Sequence, residues 1–484
     1  MLDFKIPKLV IKTLNALHEK GFEAYIVGGA LRDIMLKIPT YDWDFTTNAK
    51  PNEIQKVFPE SFYDNKFGTV GITAEELVLQ FKLKNYDFEK EEIKPGDVFE
   101  ITTYRSEEGY SDGRHPDKVV WGKTLKQDLK RRDFTINAMA LFKKPLKSQN
   151  KPAWEIIDPF DGQKDIQLKL IRAVGDPDQR FSEDGLRMIR AIRIAAQLGF
   201  SIEEKTLKSI SINSIKIQKI SIERIRDEFL KILKSNYPAD GVKLMFTSGL
   251  LKIIVPELIK MRGIEQAGHH TKDVWNHSLD ALAECPSPDP IIRLATLMHD
   301  IGKPVAFRNI AGQITFYGHE VVGARIVKTI AERLKLAKKD KEKLWLLVRY
   351  HMFAYDSKMT DKAIRKFIKR VGKENINNMI SLRIGDRKGG GSKATSWRLR
   401  ELQQRIGKLM YTPLQVGDLK VSGHDVMKIL NLKPGPDVGK ILNTLFDEVM
   451  EDASKNKKGY LLNRIKKLKT KEKLNVKKTK KIKK

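Results

Sequence analysis

Cysteine is almost missing from this 484-residue chain, with Cys285 standing alone. That excludes a disulfide framework and every multi-cysteine metal site. No apolar run reaches the roughly 18 residues that a membrane helix needs. The opening stretch, MLDFKIPKLVIKTLNALHEK, lacks the long uncharged core and small-residue cleavage site of a signal peptide. These absences lead us to expect a soluble protein of the reducing cytoplasm, with no membrane partner. Acidic residues are also scarce, since 61 Asp and Glu face 91 Lys and Arg for a net charge of +30. An excess of that size points to a polyanionic partner, RNA or DNA being the simplest. The 41% of hydrophobic residues suffices for packed cores and excludes disorder along the whole chain.

The pattern of those hydrophobics divides the chain. Ile6, Val10, Leu14 and Leu17 recur at helical spacing, Phe22 to Val27 read as a short strand, and Gly28-Gly29 follow as a turn. Strand-like runs at 70–73 and 98–104 alternate with helical stretches to about residue 145, the pattern of a mixed α/β head. From Phe181 to about residue 465 the periodicity is helical, with Gly389-Gly390-Gly391 as a loop between helical pieces. Residues 466–484 carry eleven lysines against one glutamate and read as a disordered basic tail.

Asp42 and Asp44, in YDWDFTT, are two apart, so on a strand both carboxylates project from one face. Two hard oxygen ligands suit Mg²⁺, which takes few carboxylates and completes its shell with substrate phosphates. Glu100, in VFEITTY, lies in a second β-rich run and can supply a third ligand. Three carboxylates can hold a pair of Mg²⁺ ions, one activating a hydroxyl and the other stabilising a leaving group. The preceding GGALRD strengthens this reading. Gly28 and Gly29 let backbone N–H groups approach a phosphate, and Arg32 adds charge-assisted contacts. The string YIVGGALRDIMLKIPTYDWDF resembles the active-site signature of the class II tRNA nucleotidyltransferases and their bacterial poly(A) polymerase relatives. That resemblance implies a nucleotidyltransferase fold and makes Glu100, in FEITTYR, the third carboxylate.

Further motifs agree with the resemblance. QDLKRRDFTINAMAL places Arg131, Arg132 and Asp133 before an apolar stretch. We expect a helix there, with Asp133 near its N-cap and Arg132 at a nucleotide's phosphate or ribose. The string also resembles the family's RRDFT motif. In SEDGLRMIRAIRIAAQLGF, helical spacing brings Glu183, Asp184 and Arg187 together. A carboxylate can accept from the exocyclic amine of cytosine or adenine while a guanidinium donates to the adjacent ring nitrogen. Guanine and uracil present the reverse pattern. Asp184 and Arg187 can therefore select C and A without a nucleic-acid template, with Glu183 holding Arg187, and the resemblance implies this same role. Arg190 and Arg193 continue a basic row toward the triphosphate. The loop RSEEGYSDGRHPDKV resembles one present in CCA-adding members and missing from CC-only ones.

A second constellation comprises His277, His299-Asp300 and Asp386, with His319 and His351 between them. The order H…HD…H…H…D resembles the HD metal-dependent phosphohydrolases. It implies a divalent metal on His277, His299, Asp300 and Asp386, with His319 and His351 serving a second metal or the substrate.

The expected organisation is a nucleotidyltransferase head (1–145), a helical neck (146–262), an HD domain (263–390), a helical tRNA-binding body (391–465) and the basic tail. The expected activity is template-independent transfer of CMP and AMP from CTP and ATP to the tRNA 3′ end, releasing pyrophosphate. The competing readings are an A-adding enzyme or poly(A) polymerase of the same fold, and a protein acting mainly through its HD site. Oligomeric state is left open.

Overall fold

The computed structural model describes residues 4–63, 68–108, 118–121, 124–143, 154–266, 273–311, 313–353 and 355–468. The central part of the expected loop (109–117) and most of the expected tail (469–484) lie outside the described residues. The chain forms two compact units, Met1–Ile259 with Arg333–Lys335, and Lys260–Glu332 with Leu336–Lys484.

The first unit opens with the helix Lys8–Glu19, whose Leu9, Val10, Leu14 and Leu17 are buried at helical spacing. Behind it stands a seven-stranded mixed sheet. In spatial order its strands are Phe62–Tyr63, Thr69–Thr73, Val98–Thr103, Trp43–Thr47, Ala24–Val27, Ala140–Lys143 and Trp154–Ile157. The Trp43–Thr47 and Val98–Thr103 strands are parallel and pair Asp44 with Glu100. Alternation sends Trp43, Phe45, Phe99 and Ile101 into the core, where the Phe45 and Phe99 rings stack at 5.8 Å. Asp44 and Glu100 therefore share the opposite face. Residues 105–108 and 118–121 form a separate antiparallel hairpin.

Two helical expectations fail in this unit. No α-helix follows Asp133: a short 3₁₀ turn, Thr135–Asn137, leads into the strand Ala140–Lys143. The apolar run there is buried on both sides, at the sheet and beneath the turn, so its hydrophobicity comes from a central strand and not from a helix face. Nor do Glu183, Asp184 and Arg187 share one helix. Pro177–Glu183 ends at Asp184, whose backbone is extended, and Leu186–Leu198 starts anew after Gly185. The other helices of this unit include Glu204–Asn213, Ile222–Lys234 and Pro238–Thr247.

Among its described residues the second unit is helical apart from the small hairpin Arg308–Ile310 with Gln313–Thr315. Val274–Ala283, Pro290–Met298, His319–Arg333, Lys338–Tyr350 and Ile376–Gly389 bring the histidines together. Further along, Val426, Leu445, Val449, Leu461 and Ile465 form a separate apolar core. No described helix is long and apolar enough to cross a membrane.

Candidate functional site

The Ala24–Val27 strand runs directly into the helix Gly28–Leu36, and Gly28 adopts φ +71° at the junction. A Cβ there would lie 2.7 Å from Asp44 Oδ2 and 3.3 Å from Arg132 Nη1. Glycine is what lets the chain turn this close to the carboxylate. Asp44 is half-buried, and desolvation pushes its carboxyl up to about 6. Arg132 opposes that shift, while the negative charges of Glu100 and Asp42 add to it. A cluster of acids that resists ionisation in its own field is a site suited to a cation, so these residues fit Mg²⁺. Asp42 stands just before the strand and is exposed.

Asp128, on the helix Leu125–Lys130, organises the neighbouring arginines. It is fully buried and accepts from Arg131 at 2.8 and 3.0 Å, from Arg132 at 3.2 Å and from the Thr46 hydroxyl at 3.2 Å. Burial alone would raise its carboxyl, but the two arginines hold it below the usual range. Arg32 is fixed by Asp33 at 2.8 Å and by Asn137 at 2.9 Å.

Arg190 grips Asp133 with two hydrogen bonds, of 2.9 and 2.6 Å. Against the cost of burial, that guanidinium keeps the Asp133 carboxyl far below the ordinary carboxylate range. Asp133 thus ties the segment before the Thr135–Asn137 turn to the Leu186–Leu198 helix and does not cap a helix. Arg193 is also engaged: its Nε lies 2.8 Å from Glu228 Oε2.

At the helix break, Arg187 donates to Glu183 at 2.6 Å and to the carbonyls of Arg180 and Arg131 at 3.3 and 3.0 Å. Arg180 clasps the same Glu183 at 2.6 Å. Asp184 Oδ1 accepts from the Leu186 N–H at 2.9 Å, and Oδ2 meets Arg224 Nη2 at 3.2 Å. Neither Asp128 nor Arg224 stood out in the sequence. Asp128 carries a local signal in its i, i+3, i+4 spacing to two arginines, whereas Arg224 is forty residues from its partner.

In the second unit all six predicted ligand residues line one cavity of about 630 Å³, with Lys303 and Arg383 beside them. The two oxygens of Asp300 face opposite ways. Oδ2 lies 3.1 Å from His299 Nε2 and 3.8 Å from His277 Nε2, and Oδ1 lies 3.3 and 3.8 Å from His319 and His351 Nε2. Asp386 Oδ1 closes the first group, 3.1 Å from His277 and 3.6 Å from His299. Ligand atoms of His277, His299 and Asp300 fall within 4.8 Å of one another, as do those of Asp300, His319 and His351. The Nδ1 atoms of His299, His319 and His351 contact backbone carbonyls at 2.7–2.9 Å, which turns each Nε2 inward. Burial pushes the His351 imidazole down to about 3, and His299 adds to the shift. Burial would raise the Asp300 carboxyl, yet His299 and Lys303 hold it well below the usual range. Imidazole nitrogens converging on an ionised carboxylate are a donor set that fits divalent metal. His299 and Asp300 occupy the turn after Pro290–Met298, not the helix itself, and this frees both side chains to point at one centre. Gly302 permits the approach of the next helix, since a Cβ on it would overlap the His319 carbonyl and the Gly323 nitrogen.

Comparison with known proteins gives matches along most of the chain. The Poly A polymerase head domain family matches residues 24–172, the probable RNA and SrmB-binding site of polymerase A matches 199–261, and the HD domain matches 268–387. A CCA-adding enzyme of Pediococcus pentosaceus is 31% identical over 459 residues, covering 94% of this chain and 96% of that protein. One from Ligilactobacillus salivarius is 30% identical over 468 residues, covering 95% and 96%. The crystal structure of the Bacillus stearothermophilus CCA-adding enzyme in complex with CTP shares the fold, with a TM-score of 0.69 at 24% identity over 97% of this chain and 98% of that one.

Proposed function

The chain belongs to the CCA-adding enzyme family, and from that membership we infer that it transfers CMP and AMP from CTP and ATP to the 3′ end of tRNA, releasing pyrophosphate. It is a nucleotidyltransferase whose partners are tRNA and the two nucleotides. We place its work in the cytoplasm, and we assign 1–145 to the head, 146–262 to the neck, 263–390 to the HD domain and 391–465 to the body.

The pairing of Asp44 with Glu100 beneath the Gly28 turn carries the reading. Asp42, Asp44 and Glu100 would hold Mg²⁺, which when bound supplies activation of the attacking hydroxyl and stabilisation of the pyrophosphate. The N–H groups of the Gly28–Gly29 turn and the cations Arg32 and Arg132 receive the triphosphate, and Asp128 keeps Arg132 aimed. Asp133 holds Arg190 at the edge of this site.

Base selection falls to Asp184 and Arg187. Three of the five N–H donors of Arg187 are engaged by Glu183, Arg180 and Arg131, which locks the guanidinium plane and leaves two donors for a ring nitrogen. Cytosine and adenine satisfy that donor and the Asp184 acceptor together. Guanine and uracil leave both unpaired, a mismatch that rejects substrates strongly. The test is incubation of the protein with tRNA lacking its CCA end and each labelled nucleotide in turn. We expect two C additions and one A. Incorporation of UTP or GTP at rates equal to CTP and ATP defeats the selection argument, and long adenylate tails turn the assignment to a poly(A) polymerase.

The buried donor cluster around Asp300 favours a second, separate activity, metal-dependent phosphoester hydrolysis. His277, His299, Asp300 and Asp386 would hold one divalent metal, and His319 and His351, across the Asp300 carboxylate, a second. Asp300→Ala should abolish hydrolysis of a phosphoester probe and leave nucleotide incorporation intact, while Asp44→Ala should do the reverse. Loss of both activities in either variant refutes the division.

A further inference from the structure

We propose that Arg224 is a positioning residue for base selection, acting by fixing the Asp184 carboxylate. The inference rests on the assignment of Asp184 as a base-reading group. Asp184 occupies a break between helices and so lacks the rigid backbone that a template residue needs. Its Oδ1 is anchored locally by the Leu186 N–H at 2.9 Å. That bond alone leaves the carboxylate free to swing about the Oδ1 contact. The second anchor comes from another element, Arg224 in the first turn of Ile222–Lys234, whose Nη2 meets Oδ2 at 3.2 Å. Two anchors on two oxygens fix the plane of the group and leave each oxygen a lone pair for an incoming amine.

Two further observations support the role. The Ile222–Lys234 helix holds the base-reading segment at a second point, where Glu228 approaches Arg193 to 2.8 Å. The spacing between the Asp184 region and the Leu186–Leu198 helix is therefore set at both ends by charge pairs from one rigid rod. In addition, Arg224 Nη1 is shut off from solvent and has no hydrogen-bond partner among the described residues. Buried donors are seldom left unpaired except where function or a ligand completes the network. A guanidinium with one arm on the reading carboxylate and one arm unfilled is such a place.

The chemistry requires this anchor because an acceptor distinguishes an amine from a carbonyl only while its direction is fixed. A carboxylate able to rotate can turn away from the O4 of uracil or the O6 of guanine, which relieves the repulsion that rejects them. Loss of Arg224 should therefore damage discrimination more than rate.

The experiment compares wild type with Arg224→Met, Arg224→Lys and Asp184→Asn, measuring kcat and KM for all four nucleotides on tRNA lacking its CCA end. Melting temperatures serve as a check on folding. We expect Arg224→Met to lower the CTP-over-UTP and ATP-over-GTP preferences about tenfold or more. Arg224→Lys, which keeps the charge but not the planar fork, should recover part of them. If Arg224→Met slows all four nucleotides alike with preferences unchanged, the residue is merely structural and the proposal falls. If that variant does not fold, Arg224→Lys decides, because wild-type preference in it overturns the proposal and reduced preference supports it. Unchanged preference in Asp184→Asn refutes the base-reading assignment, and the role of Arg224 falls with it. Altered preference in Asp184→Asn beside unchanged preference in the Arg224 variants overturns the Arg224 proposal alone.

Discussion

Replacing Gly28 with alanine should damage the transfer site by an amount that can be worked from the backbone. Gly28 sits at φ +71°, where an L side chain costs about 1–2 kcal/mol. The new methyl would also lie 2.7 Å from Asp44 Oδ2, where ordinary contact begins at 3.4 Å, so the carboxylate must withdraw by about 0.7 Å. Misplacement of a reacting group by 1 Å costs on the order of 10²-fold in rate, so kcat for CMP incorporation should fall several tens of fold. Gly96→Ala provides the control. Its φ is not left-handed and its Cβ would meet nothing within 4 Å, so its rate should stay within about threefold of wild type. Single-turnover incorporation of labelled CMP into tRNA lacking its CCA end measures both variants. Near-wild-type turnover in Gly28→Ala, or equal damage in the two variants, refutes the argument that this turn sets the position of Asp44.

Asp128→Ala leaves Arg131 and Arg132 facing one another without their shared counter-charge. A loss of about 3 kcal/mol in urea unfolding of the first unit is expected, with a higher KM for both nucleotides. Asp133→Asn removes a carboxylate whose folded-state pKa is depressed by Arg190. The stability it contributes is fully present above the unfolded value of about 3.9 and is lost as pH falls toward the folded one. The melting-temperature gap between wild type and variant should therefore be constant from pH 8 to 5 and narrow below about pH 4. A gap that widens with acid contradicts the pairing. Gly302→Ala should push the His319 helix away from Asp300. The stabilisation that added Mn²⁺ or Ni²⁺ confers on the second unit should drop, while nucleotide incorporation is untouched.

The parts legible in the sequence were those whose cause is local. Strand alternation put Asp44 on the face opposite Trp43 and Phe45, with Asp42 lying just before the strand, and helical spacing in residues 5–20 gave the first helix. What failed was the choice between a helix and a buried strand for the apolar run after Asp133. A fully buried segment has no polar face to reveal its period. Glu183 and Arg187 do meet as their spacing suggests, although Gly185 interrupts the helix between them and frees Asp184 to leave its axis. The register that sets Glu100 against Asp44, the clasp of Arg190 on Asp133, and the reach of Arg224 to Asp184 join distant segments, and no local pattern encodes them. Asp386 lies 86 residues beyond Asp300 in the chain, yet it stands within 3.1 Å of His277.

The clasp between Arg190 and Asp133 has a bearing on how such a molecule can be altered. It spans the seam between the segment leading into the Thr135–Asn137 turn and the Leu186–Leu198 helix, with the Asp133 carboxylate buried and the Arg190 guanidinium partly exposed. A chimera that exchanges one side of this seam inherits a stranded charge unless its counterpart travels too. The two sides are portable only as a set.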